Sequence, residues 1–125
     1  MKTPILAGCA VLAFSALAHA DSLPKTMLGN WCAVSESEDL YIRKACPDSD
    51  GKLTVRQNEY VFWESGCEIK RVQRQSGGAY LVQGSCSGEG THWTAKSEFE
   101  LIGDRLSIRV VSSTKPTPET IGRSR

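Results

Sequence analysis

Two carboxylates stand out among the groups that could do chemistry: Glu64, beside Trp63, and Glu89, between Gly88 and Gly90. Brought together from neighbouring strands, two carboxylates can divide general acid and general base work, which would make the chain a hydrolase. Glycines on both sides of Glu89 equally describe an exposed turn. Nucleophilic catalysis needs a base beside a hydroxyl or thiol and a third group that orients the base. After residue 20 the chain offers a single imidazole, His92, next to Trp93 at a strand start, which reads as a rim residue. Metal chemistry finds no better support. No Cys-x-x-Cys pair exists, so the cysteines do not make a zinc site. Asp48-Ser49-Asp50-Gly51 opens like a calcium loop, with Glu59 at the twelfth position. Lys52 and Leu53 then occupy the fifth and sixth positions, where a ligand and a glycine are required, so the stretch reads as a plain Asp-Gly turn. Lys70, Arg71 and Arg74 form a basic run diluted by Glu68, read as a solvated face. Neither a metal nor a cofactor is implied.

The elements that must position these groups begin after residue 20. Lys2, the apolar run Ile5 to Leu17 and Ala18-His19-Ala20 have the layout of a secretory signal peptide, 1–20, with the mature chain starting at Asp21. Leu6-Ala7-Gly8-Cys9 spells a lipoprotein box, but too short an apolar run precedes it, so no membrane anchor is expected. Beyond residue 20 the chain has 105 residues, with fourteen Lys and Arg against fourteen Asp and Glu. A balance of zero exerts no pull on nucleic acid or anionic membrane. The expected compartment is the periplasm or the exterior.

A domain of this size buries only about 60–70% of the surface of its unfolded chain, so cross-links matter. Cys32, Cys46, Cys67 and Cys86 form an even set in an exported chain, which reads as two disulfides with three possible connectivities. Sequence spacing favours neighbours, Cys32–Cys46 and Cys67–Cys86, each worth about 3 kcal/mol in the chain-entropy model. Helical periodicity is nearly absent, whereas short alternating runs separated by turn residues predict an all-β chain. Around Gly103-Asp104, a two-residue turn sets Leu101 opposite Leu106, Phe99 opposite Ile108 and Glu98 opposite Arg109. Around Gln57-Asn58, Arg56 facing Glu59 sets Val55 against Tyr60 and Leu53 against Phe62. A four-residue loop at Gln75-Ser76-Gly77-Gly78 sets Arg74 opposite Ala79 and Cys67 opposite Cys86. That register leaves Arg71 facing Val82, a mismatch that a bulge or another loop length would relieve. With strands near Leu28–Ser35 and Leu40–Cys46, seven or eight short antiparallel strands must close into a barrel or stack as a sandwich to hide their edges. The expectation is one small β-barrel domain over 21–114 and a disordered tail over 115–125.

Three resemblances follow. Trp31-Cys32, Glu64-x-x-Cys67 and Cys86-x-Gly88-Glu89-Gly90-x-x-Trp93 together resemble small exported proteins of Gram-negative bacteria with no assigned function. Gly29-Asn30-Trp31 is similar to the Gly-x-Trp that opens lipocalin-type barrels and the barrel inhibitors of secreted metalloproteases. Ser76-Gly77-Gly78-Ala79-Tyr80 and Trp93-Thr94-Ala95-Lys96 resemble the Ser-Gly-x-x-Tyr and Trp-x-Lys-Gly motifs of periplasmic C-type lysozyme inhibitors. That last likeness implies an eight-stranded barrel whose motif serine and lysine reach into a lysozyme cleft. The partner-binding residues would then be Ser76, Gly77, Tyr80 and Lys96, although Lys96 stands one position late and no glycine follows it. The function expected is therefore non-enzymatic: an exported binding protein that inhibits a lysozyme-like or other hydrolase. A small-ligand carrier of the lipocalin type is the alternative, opposed by an interior expected to be filled by Trp31, Trp93 and Phe99. A carboxylate-pair hydrolase using Glu64 and Glu89 is the second alternative.

Overall fold

The computed structural model describes residues 21–34, 39–46 and 51–116. The segment 1–20 expected to be a signal peptide, with Cys9, the acids Asp48 and Asp50, and residues 117–125 of the expected tail lie outside the described residues. Eight antiparallel strands form a closed barrel. They are β1 (Gly29–Ala33), β2 (Leu40–Ile42), β3 (Lys52–Val55), β4 (Glu59–Val61), β5 (Gly66–Arg74), β6 (Tyr80–Gly88), β7 (Thr91–Ile102) and β8 (Arg105–Ser113).

From β3 to β8 the chain is a meander in which each strand pairs with the next. The first hairpin breaks that order. β1 pairs with β3, and β2 with β8, so the ring reads β1-β2-β8-β7-β6-β5-β4-β3. The connection from β2 to β3 must therefore skip β1. Cys46 lies on that connection and is disulfide-bonded to Cys32 of the skipped strand. Cys67 and Cys86 form the second disulfide, across directly opposed positions of β5 and β6. Both connectivities match the spacing argument.

The C-terminal hairpin has the expected register, from Ile102 opposite Arg105 to Glu98 opposite Arg109, and the charged pair closes to 2.6 Å. Val55 faces Tyr60 as expected, but β4 ends at Val61, so Leu53 is instead paired with Trp31 of β1. In the β5–β6 hairpin, Cys67 faces Cys86, yet Arg74 faces Tyr80 in place of Ala79. The loop is one residue longer than expected, and a bulge between Ile69 and Arg71 takes up the difference. Val72 thereby meets Val82, and Arg71 meets Gln83, so the predicted mismatch disappears. Burial explains why the bulge forms there. Val72 is buried and Ile69 packs on the core, three positions apart, and only an extra residue at Lys70 puts both on the inner face.

Alternation fills the barrel. Leu53, Val82, Phe99 and Leu106 are fully buried, and an aromatic chain runs through the centre. Phe99 and Tyr60 meet edge to face with centroids 5.2 Å apart, Phe62 stands 5.7 Å beyond Tyr60, and Tyr41 follows at 6.4 Å. The Tyr60 hydroxyl bonds Ser97, the one buried polar side chain among the described residues. One end is stoppered by the segment before β1. Its 3-10 turn, Lys25–Met27, sends Met27 and Leu23 into the core. Trp31 Nε1 donates to the Met27 carbonyl at 3.1 Å, and Gln57 Nε2 to the Leu23 carbonyl at 2.9 Å.

Candidate functional site

The loop between β5 and β6 opens at the stoppered end of the barrel. Its chain closes through the Gln75 amide, which donates to the Ala79 carbonyl at 2.8 Å, around a short 3-10 turn at Ser76–Gly78. Gly77 and Gly78 have φ of 81° and 89°, values that a side chain would oppose. Ala79 is buried beneath and Tyr80 is half-buried against the core, while Ser76, Gly77 and Gly78 are exposed. The loop thus exposes Ser76 above a buried base. Tyr80 supports the loop from below.

A second feature shares this end. The pairing of Ile42 and of Ile102 with Arg105 brings the end of β2 beside the β7–β8 turn. A cleft of about 690 Å³ lies there, walled by Trp31, Ile42 and Leu101 and edged by Arg43, Lys44 and Arg105. Arg43 is fixed: its guanidinium lies 4.0 Å above the Trp31 ring and Nη2 donates to the Thr26 and Leu28 carbonyls, each at 2.8 Å. Gly29 makes room for it, since a Cβ there would stand 2.8 Å from Arg43 Nη1. Among the described residues no carboxylate forms an ion pair with Arg43, Lys44 or Arg105. Sequence reasoning missed this group. Its only signal was cations flanking two turns, and the pairing that unites them joins the second strand to the last.

Lys96 stands elsewhere. It is exposed on the outer wall of β7, opposite Gln83, three rungs from the Tyr80–Phe99 pair and so about 10 Å along the strand from the loop. There it lines a groove of about 350 Å³ with Lys70, Gln83, Ser85, Thr94 and Thr114. Thr114 lies past the far end of β8, so the groove runs away from the Ser76 turn.

Comparison with protein-family models, curated proteins and solved structures returned no match. Function therefore rests on what the surface can do.

Glu64 and Glu89 sit at the end opposite the stopper. The β5–β6 ladder stops at Gly66 and Ser87, where the Phe62 amide donates to the Ser65 carbonyl and turns the chain, so the rung that would align the two acids is not formed. The turns still approach, for a Cβ on Gly88 would lie 2.6 Å from the Glu64 carbonyl oxygen. Both acids are exposed, and Glu89 occupies a left-handed turn position with φ of 51°. His92 is exposed on the outer wall near Glu59 and Glu68, which face each other across β4 and β5. Each of those acids has its own cation, Arg56 at 2.7 Å and Lys70 at 3.2 Å. Trp93 is half-buried and carries the Lys115 ammonium 4.6 Å from its ring centre.

Burial raises the Tyr60 hydroxyl above its usual pKa, an effect only partly offset by Ser97. Burial, with the nearby Asp39 carboxylate, pushes Tyr41 up to about 12. Both hydroxyls stay neutral at physiological pH and serve the core. No described helix is long and apolar enough to cross a membrane.

Proposed function

We propose that this protein is a non-enzymatic exported binding protein that inhibits a hydrolase of the lysozyme type by inserting the Ser76 turn into the enzyme's cleft. The observation that carries the reading is the exposed Ser76-Gly77-Gly78 turn, held out on a buried Ala79 and a half-buried Tyr80. A hydroxyl presented this way can donate to a catalytic carboxylate. Export fits the two disulfides, which persist in oxidising compartments. The carrier reading meets an interior in which Tyr60, Phe99, Leu53 and Leu106 are buried together with the stopper residues Leu23 and Met27. For a carboxylate-pair hydrolase, the interrupted ladder leaves Glu64 and Glu89 on separate exposed turns.

The test is inhibition of cell-wall lysis by a C-type lysozyme, using the oxidised chain from Asp21 onward at equal and excess molar ratios. Inhibition is expected near stoichiometry, and Ser76→Ala should weaken it by about 1–3 kcal/mol while leaving the melting transition in place. Lys96→Ala, on the outer wall, should change it less. Undiminished lysis at micromolar excess of correctly oxidised protein overturns the proposal.

A further inference from the structure

We infer that the cleft beside the stopper is a docking site for an acidic, partly apolar segment of a protein partner, with Arg43, Lys44 and Arg105 receiving its carboxylates. The inference deepens the inhibitor reading and rests on it for the partner's class. Charge complementarity carries it. Three cations edge one concavity in which Asp104 is the single acid, and among the described residues none of the three is neutralised by an ion pair. What sets the cleft apart is that three such cations converge on one concavity beside apolar walls, whereas Arg56, Lys70 and Arg109 each have a carboxylate within 3.2 Å.

Arg43 is also positioned before any partner arrives. Its stacking on Trp31 and its two bonds to backbone carbonyls occupy Nη2 and one face of the guanidinium. The fork geometry of the remaining donors suits a carboxylate. Ile42 and Leu101, both half-buried, give the cleft an apolar wall, which selects an acidic segment with an apolar residue between its charges over a bare anion. Position links the cleft to the inhibitory turn. The β7–β8 turn and the β5–β6 loop are rim neighbours at the same end, two strand spacings or about 10 Å apart. Of the three cations Arg105, beside that turn, is the nearest to Ser76, while Arg43 and Lys44 follow β2 farther round the same rim.

The probe is an acetylated, amidated Glu-Glu-Leu-Glu-Glu peptide titrated into isotope-labelled oxidised protein, followed by amide and indole shifts. Saturable shifts at Trp31, Ile42, Leu101 and Arg105 are expected. They should weaken at least tenfold in Lys44→Glu with Arg105→Glu, and likewise between about 0.05 and about 0.5 M salt. Both side chains are exposed, so an unchanged spectrum outside the cleft verifies that the variant folds. Lys70→Glu with Lys96→Glu should leave the titration as it was. Absence of shifts, shifts that follow Lys70 and Lys96, or equal shifts from inorganic phosphate overturn the inference. Peptide binding without lysozyme inhibition leaves the cleft standing and removes the lysozyme reading; inhibition without peptide binding does the reverse.

Discussion

The two halves of the barrel are held by different means. β5 to β8 run 9, 9, 12 and 9 residues, long enough for their ladders to fix register along most of the barrel. β1 to β4 run 5, 3, 4 and 3 residues, and ladders that short specify little by themselves. What they lack is supplied by tertiary clamps: the Cys32–Cys46 disulfide, the Arg43 stack on Trp31, and the stopper of Leu23 and Met27. A half built on ladders tolerates change at any one rung. A half built on clamps depends on each of them, and the proposed basic cleft sits on this second kind of support.

The largest expected effect comes from a residue that both halves share. Phe99 belongs to β7 but touches Tyr60 of β4, so Phe99→Ala should cost about 3–5 kcal/mol in denaturant unfolding and destabilise both halves together. Protection from hydrogen exchange lost only in β5–β8 would contradict that coupling. Next come the disulfides. The chain-entropy model gives about 3 kcal/mol for either, since their loops differ little in length. Their local consequences should diverge. Replacing Cys32 and Cys46 by Ala is expected to raise amide exchange in β1 to β3 selectively, whereas removing Cys67 and Cys86 should leave most of the β5–β8 ladder protected. Uniform exchange in both variants would end the distinction between ladder and clamp.

Alkaline pH probes the same contrast more gently. Tyr41 and Tyr60 both belong to the short-strand half, and both have folded pKa values raised above 10. An unfolded tyrosine ionises first, so the stability each contributes is complete below pH 10 and is lost as pH rises toward about 12 for Tyr41. Tyrosine absorbance and exchange in β2 and β4 should therefore change before the β7–β8 hairpin melts. The smallest effect is expected at the exposed Glu98–Arg109 pair. Glu98→Gln should cost under about 1 kcal/mol, because the register there is already set by Phe99 on Ile108 and Leu101 on Leu106.

The same division explains what the sequence made legible. Where strands are neighbours in the chain, apolar alternation and opposite charges agree on one register, as at Glu98–Arg109 and Cys67–Cys86. The β5 bulge was partly visible as a mismatch between Arg71 and Val82, although a shifted loop length masked its position at Lys70. The short half offered no such agreement. Three residues of β2 show no usable period, and nothing in Leu40-Tyr41-Ile42 announces that its partner is Leu106, over sixty positions away. The stopper was equally hidden, since Leu23 and Met27 stand alone outside any strand. For the candidate site, Ser76 and Tyr80 were found through a motif, whereas Arg43, Lys44 and Arg105 meet only because the last strand closes onto the second.

That closure also orders events in time. A ribosome delivers the chain from its amino end, and β2 waits for Arg105 to Ser107 before its second edge is covered. Until then every emerging intermediate is an open sheet, with Tyr41 and its neighbours on a bare margin. A chain halted before residue 105 cannot form the ring, however many of its hairpins are complete. Late closure of this kind defers the cooperative step until nearly the whole barrel sequence is present.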